Sequence, residues 1–246
     1  MKILFLDIET SPNTAHIWGL WNQTIGINQL LESSYTLCWA AKWAGEDTVL
    51  FDSVYLSSPK RMVKRIHGLL EQADMVVHYH GSSFDIPTLN KEFISHKLSP
   101  PSPYKEVDLL KTVRKRFRFT SNKLDYVANK LGLGKKHPHE GHTLWIKCMA
   151  NDADAWATME LYNRQDVRIL EQLYYRLLPW IKNHPNRSTF HNEASCPNCG
   201  SKYAQRRGWA VLQTGKYQRY QCKECGAWYR DVHREPMPTS ERRMSL

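Results

Sequence analysis

Residues 2–10 read KILFLDIET, from Lys2 to Thr10. Lys2–Asp7, with the apolar run Ile3 to Leu6, reads as a buried strand that ends in charge. Strand side chains alternate, so Asp7 and Glu9 point to the same face. Two carboxylates at the end of a buried strand are costly unless something positive neutralises them, and a divalent cation does so.

Outward from this strand, Tyr35–Trp43 and Val49–Tyr55 are rich in aromatic and β-branched residues and predict two more strands. Pro59 opens a helix with Met62, Val63, Ile66, Leu69 and Leu70 at helical spacing. Met75–His80 predicts a short apolar strand, and helices are expected around Ile86–His96, Val107–Arg116 and Asn122–Leu131. The longest helical pattern runs from about Ala153 to Ile181. Strands first and mixed strand–helix units after them indicate an α/β layer fold. Residues 183–195 (NHPNRSTFHNEAS) are polar and read as a linker to a small unit at 196–230. The tail, 231–246, is expected to be disordered.

Two further motifs carry acids. In 78–87, HYHGSSFDIP, Gly81 permits a tight turn and Asp85 begins a helix, as its N-cap or as a third site carboxylate. In 162–167, YNRQDV, positions i and i+4 share a helix face, so the Tyr162 phenol and the Asp166 carboxylate point together. Taken alone, that pair also fits a core-edge Tyr and a solvated Asp.

The ordered set of a strand DxE, a strand–loop FD and a helix YxxxD, about 80 residues apart, resembles the DEDD exonucleases. These are also called DnaQ-like and belong to the ribonuclease H-like superfamily. Tyr162, four residues before Asp166, matches the DEDDy branch. The resemblance covers roughly residues 1–181 and implies an exonuclease domain at 1–182, and the stretch from Leu144-Trp145 to Pro179-Trp180 followed by a cysteine-bearing unit is similar to phage-encoded members. It implies a mixed central sheet flanked by helices. It also implies that Asp7, Glu9, Asp85 and Asp166 gather at one edge of that sheet and hold two Mg²⁺ or Mn²⁺ ions. Ions about 4 Å apart clamp the attacking and leaving oxygens of a phosphodiester. Tyr162 would orient the attacking water, since a phenol with a pKa near 10 is a poor base at neutrality. The 3′→5′ polarity, and DNA as the favoured substrate over RNA, come from the resemblance alone. Many relatives have Asn where His80 stands, so His80 is a candidate for substrate contact or loop support. Endonucleases of the same superfamily and inactive binding proteins are the competing readings. YxxxD argues against the first, and the presence of all four carboxylates and the Tyr against the second.

Composition agrees with a polyanionic partner. The net charge is +10, and +7 of it lies from Lys182 to Leu246. Lys111–Lys123, KTVRKRFRFTSNK, alternates basic and aromatic residues. Arg116 and Arg118 there are candidates for phosphate contact, or the stretch is a solvated helix face. No segment approaches the ~18–20 apolar residues of a membrane span. The run at Ile3–Leu6 is too brief for a signal peptide, so a cytoplasmic, reducing setting is expected.

Four of the six cysteines form two CxxCG pairs, Cys196/Cys199 and Cys222/Cys225. That spacing predicts one tetrahedral structural Zn²⁺ in a zinc ribbon, with two disulfides as the alternative. Cys38 and Cys148 read as small buried residues, and Asp108 as structural. The His137, His139 and His142 segment reads as a mobile basic loop with Lys135 and Lys136. Between the knuckles, Arg206, Arg207, Trp209, Lys216 and Arg219 suit phosphate contact and base stacking, or else the aromatics fill the ribbon's small core.

Overall fold

A computed structural model of the chain describes residues 1–190 and 193–236. The first unit, Lys2–Tyr174, is built from β1 (Ile3–Thr10), a short hairpin of β2 (Thr14–Ala15) and β3 (Leu30–Glu32), β4 (Thr36–Trp43) and β5 (Val49–Ser53). There follow α1 (Pro59–Leu70), β6 (Met75–His78), α2 (Asp85–Ser95), β7 (Lys105–Asp108), α3 (Leu109–Arg116), α4 (Leu124–Lys130), α5 (His142–Met149) and α6 (Ala153–Leu177). The division between the two units falls inside α6, at Tyr174/Tyr175.

β1 is the middle strand of a five-stranded mixed sheet of order β5-β4-β1-β6-β7. β4 runs antiparallel to β1 and β5, whereas β6 and β7 extend the sheet in parallel. Parallel neighbours need crossovers, and α1 and α2 lie on those connections. On one face Leu4, Leu6 and Ile8 of β1 pack with Trp39 and with Met62, Ile66 and Phe93 of the crossover helices. On the other, Phe5 meets Tyr174 of α6 edge to face, with ring centroids 5.4 Å apart. A strand covered on both faces must be apolar at successive positions, which is why Ile3–Leu6 does not alternate. Ser58 caps α1 by accepting the Arg61 N–H, and Pro59 occupies the first turn, where its missing donor costs nothing.

Several elements differ from the sequence expectation. β1 continues through Glu9 because its backbone keeps pairing with β4, Asp7 opposite Ala40 and Glu9 opposite Cys38, whatever the side chains carry. Val107 lies in a strand, not at a helix start: β7 pairs with β6, and Asp108 then caps α3 by accepting the Leu110 N–H. The helical pattern expected to reach Ile181 ends at Leu177, and Leu178–Trp180 around Pro179 tightens into a 3₁₀ turn. α5 had no sequence expectation at all.

From Tyr175 onward the chain forms the second unit. Its sheet is antiparallel, of order β10-β9-β8, made of β8 (Ala204–Leu212), β9 (Gly215–Cys222) and β10 (Trp228–Arg230). Arg187–Phe190 make one 3₁₀ turn, and the Arg187 N–H donates to the Pro197 carbonyl. Beyond β10, the Asp231 and Glu235 N–H groups donate to Gln218 and Lys216 of β9. Residues 237–246 of the expected tail lie outside the described residues. Among the described residues no helix is long and apolar enough to cross a membrane.

Candidate functional site

Asp7 and Glu9 leave β1 on the same side, and Asp166 reaches them from α6 across more than 150 residues of sequence. One carboxylate oxygen from each lies within 4.8 Å of the others. Asp166 is buried, and its Oδ1 has no hydrogen-bond partner. Burial, then Asp166, Asp85 and Glu9, push the Asp7 carboxyl well above the usual range. Burial, with Asp166 and Asp85, lifts Glu9 to about 8 against the opposing charge of Lys136. Three acids held this close repel one another, and their only donor atoms are hard oxygens. An unpartnered buried oxygen and a surplus of negative charge fit a divalent cation such as Mg²⁺ or Mn²⁺.

Asp85 stands one step back. α2 begins at Asp85, but its N-cap is Phe84, which makes no side-chain cap. Asp85 Oδ1 instead accepts the Ile8 N–H at 3.1 Å, from the backbone between the two β1 acids. Burial raises Asp85 to about 6, with His78 and the Ile8 N–H opposing. The turn that delivers it is tightly fixed. A Cβ on Gly81 would sit 2.4 Å from the His78 ring, so only glycine fits. Asp108 braces the same turn by accepting the His80 N–H at 3.0 Å and the Ser82 hydroxyl at 2.7 Å.

Three further residues complete the cluster, and sequence reasoning missed their roles. Asn163 Nδ2 donates to Asp7 Oδ2 at 2.7 Å. Its position three before Asp166 on a helix was the available signal. Trp145 of α5 hydrogen-bonds Glu9. Lys136 donates to the Tyr162 hydroxyl at 3.0 Å and forms an ion pair with Asp166. Nothing in its spacing marked Lys136, which sits between the expected helices in a basic stretch.

His139 of that basic stretch lies beside the cluster, its ring 4.7 Å from Tyr162 and 5.3 Å from Trp145. Tyr162 is buried, and burial, then Glu9 and Asp166, push its phenol far above its ordinary value. It therefore stays a neutral hydroxyl, able to donate but not to act as a base.

A cavity of about 610 Å³ adjoins this cluster, with Tyr79, His80, Arg114, Lys123 and Lys136 among its lining residues. His80 is exposed with a left-handed backbone, φ 74°. Of the other basic candidates, Arg118 is exposed, whereas Arg116 is half-buried with one guanidinium nitrogen enclosed and unpartnered. Phe117 and Phe119 pack on each other, with ring centroids 5.6 Å apart.

In the second unit the four knuckle cysteines converge, each sulfur within 4.8 Å of the others. Cys196–Cys225 and Cys199–Cys222 are 3.7 and 3.6 Å apart. A tetrahedral Zn²⁺ with Zn–S near 2.3 Å requires sulfurs about 3.8 Å apart, and a disulfide about 2.05 Å. The spacing fits zinc, and all four cysteines are free thiols. Arg206, Arg207, Trp209, Lys216 and Arg219 all lie exposed on β8 and β9. Lys216 lies 4.2 Å over Trp209, and Arg219 lies 5.1 Å over Trp228. Tyr229, by contrast, packs against the cysteines.

A family model for the RNase_H superfamily matches residues 4–178. Among solved structures, the chain resembles the family B DNA polymerase from the hyperthermophilic archaeon Pyrobaculum calidifontis, at TM-score 0.56 and 18% identity. The match covers 72% of this chain and 24% of the polymerase chain, and at that identity it speaks for the fold alone. No curated protein matches. With a family model spanning most of its length and the mixed sheet described above, the chain belongs to the RNase_H superfamily.

Proposed function

We propose that this protein is a metal-dependent 3′→5′ exonuclease of the DEDDy type that hydrolyses nucleic acid, DNA in preference to RNA. The observation that carries this reading is the convergence of Asp7, Glu9 and Asp166, whose oxygens lie within 4.8 Å while Asp166 Oδ1 is buried and unpartnered. Asp7, Glu9 and Asp166 would hold two Mg²⁺ or Mn²⁺ ions, with Asp85, anchored to the Ile8 N–H of β1, completing the set. When bound, such ions polarise a water for attack and stabilise charge on the departing oxygen.

The chain's own residues supply the rest. Tyr162, a neutral hydroxyl, orients the attacking water. Asn163 fixes the Asp7 carboxylate, and Trp145 fixes Glu9. Lys136 counters the cluster's charge. Arg114, Lys123 and His80 line the adjoining cavity, where a phosphate backbone finds positive charge. Arg116 and Arg118 extend that basic region along the chain. The ribbon, folded on one structural Zn²⁺, would hold substrate through its exposed Arg and Trp side chains.

The test is digestion of 3′-labelled, 5′-labelled and circular DNA and RNA with Mg²⁺ or Mn²⁺. The proposal expects mononucleotides released from the 3′ end and circular substrates left intact. Cutting of circular DNA would favour an endonuclease. No cutting of any substrate, with both ions shown to bind, would leave a binding protein.

A further inference from the structure

Between Glu9 and β4 the chain leaves the sheet and returns as an arm, residues 11–35. Its root is braced. The Ser11 N–H donates to the Tyr35 carbonyl at 2.9 Å, and the Tyr35 N–H donates back to Ser11 Oγ at 3.0 Å. Higher up, β2 pairs with β3, and the Gln29 side chain donates to the His16 carbonyl while accepting the Gly26 N–H. This bracing holds out a tip that is strongly apolar. Trp18 is 98% exposed and Trp21 83%, with Leu20 and Ile27 nearly as bare. Exposed rings on this scale mark a surface that another molecule covers.

The arm's chemistry narrows what that molecule is. In a chain of net charge +10, residues 11–35 hold no Lys or Arg and a single acid, Glu32. The tip therefore carries no charge to attract a phosphate, and its most exposed side chains are apolar, two of them flat indoles. Its root, Ser11, follows Glu9 by two residues, just past the end of the strand that carries Asp7 and Glu9. A strand cut at those acids would therefore run near the root of the arm. Base faces are flat, apolar and able to stack on indole, whatever the sequence.

We propose that the arm is a base-stacking element, in which Trp18 and Trp21 hold unpaired nucleobases of the substrate strand beside the acidic cluster. This rests on the nuclease reading and assigns it a substrate feature, single-stranded character next to the scissile bond. Phosphates and bases are then gripped by different parts of the chain. Basic side chains around the cavity take the backbone, and the arm takes the rings.

The test measures binding without hydrolysis, in an Asp7→Asn background with Ca²⁺, by fluorescence anisotropy. The probes are a labelled single-stranded oligonucleotide and an abasic one of the same length and charge. Trp18→Ala/Trp21→Ala is expected to weaken binding of the base-bearing strand by about tenfold to a hundredfold. Binding of the abasic strand should change by less than twofold. Equal loss on both strands, or loss on neither, overturns the proposal. So does a variant that binds both strands normally but changes the sedimentation coefficient, which makes the arm an interface between copies. Because nothing is cut in this assay, failure of the wild-type protein to digest any nucleic acid would sink the nuclease reading separately.

Discussion

The Lys136 ammonium stands between two α6 side chains, donating to the Tyr162 hydroxyl at 3.0 Å and pairing with the Asp166 carboxylate. Burial opposes its charge, but Asp166, Tyr162 and Asp7 outweigh burial and hold it protonated. It thus sets a positive charge against the acid cluster without any metal. Removing one partner of a buried pair leaves the other uncompensated, at a cost of about 1–3 kcal/mol for a pair this close to solvent. Lys136→Ala should lower metal-free stability by that amount, and saturating Mg²⁺ or Mn²⁺ should restore most of it. Thermal unfolding with and without metal checks this. A deficit that is the same in both conditions would show that Lys136 and the metals do not serve the same charge.

Asp7 meets three other acids in a buried setting, so its charge is a burden to the fold and an asset only to a metal. Asp7→Asn keeps the oxygen that accepts from Asn163 and removes the charge. It should raise the metal-free melting temperature while lowering cleavage by about 10²-fold or more. Nucleic-acid binding should change little. A variant that is less stable without metal would contradict the electrostatic account of this cluster.

The β1 acids were legible because two local rules coincide there, strand alternation and the ending of an apolar run in charge. The YxxxD pair was legible from helix geometry alone. β7 was not, because Lys105 to Asp108 is held as a strand by pairing with β6, and four residues carry no period of their own. Lys136 was invisible for a related reason. Its role depends on loop geometry that brings it to α6, and loops have no repeat to read. The arm's Trp residues were also passed over, since composition counts aromatics without saying which are exposed.

Glu9 gives the site a pH signature. Burial and the neighbouring acids push its folded carboxyl up to about 8, from an ordinary Glu value of 4.5. The folded state therefore binds this proton more tightly than the unfolded chain does. Metal-free stability contributed by Glu9 is fully present below about 4.5 and is lost as pH rises towards about 8. Glu9→Gln should consequently gain on the parent protein across that window, with the largest difference above pH 8. Melting temperatures of both proteins from pH 5 to 9 in EDTA are the measurement. A difference that shrinks with rising pH would mean that Glu9 is not held in its protonated form.

Tyr162 is a buried hydroxyl whose pKa lies far above neutrality, so it contributes geometry and a donor, not a titration. Tyr162→Phe keeps the ring packed between His139 and Trp145 and removes only the oxygen. The turnover rate should fall about 10- to 100-fold, the cost of a poorly aligned nucleophile, with KM little changed. The pH–rate profile should keep its shape. A profile whose basic limb disappears in the variant would instead make Tyr162 a proton carrier.

The buried cluster of the second unit's sheet holds little beyond the four cysteines that would bind zinc. Cys196, Cys222 and Ala227 are buried, and the residues packed on them are Cys199, Cys225 and Tyr229. Apolar burial on that scale cannot offset the ordering of about 35 residues, so the fold of this unit should depend on the metal. Cys199→Ser should therefore lose zinc altogether and abolish the β8–β9–β10 sheet, while Lys2–Tyr174 keeps its cooperative transition. With the sheet gone, Trp209, Lys216 and Arg219 no longer hold their stacked positions, and affinity for nucleic acid should fall. Turnover at saturating substrate should change little, because none of the acids lies in this unit. Metal content by emission spectroscopy, amide exchange over 196–230 and a KM-against-kcat comparison read the three effects separately. Retention of one zinc per chain in Cys199→Ser would break the four-thiolate assignment, and a protected ribbon without zinc would show that its stability comes from elsewhere.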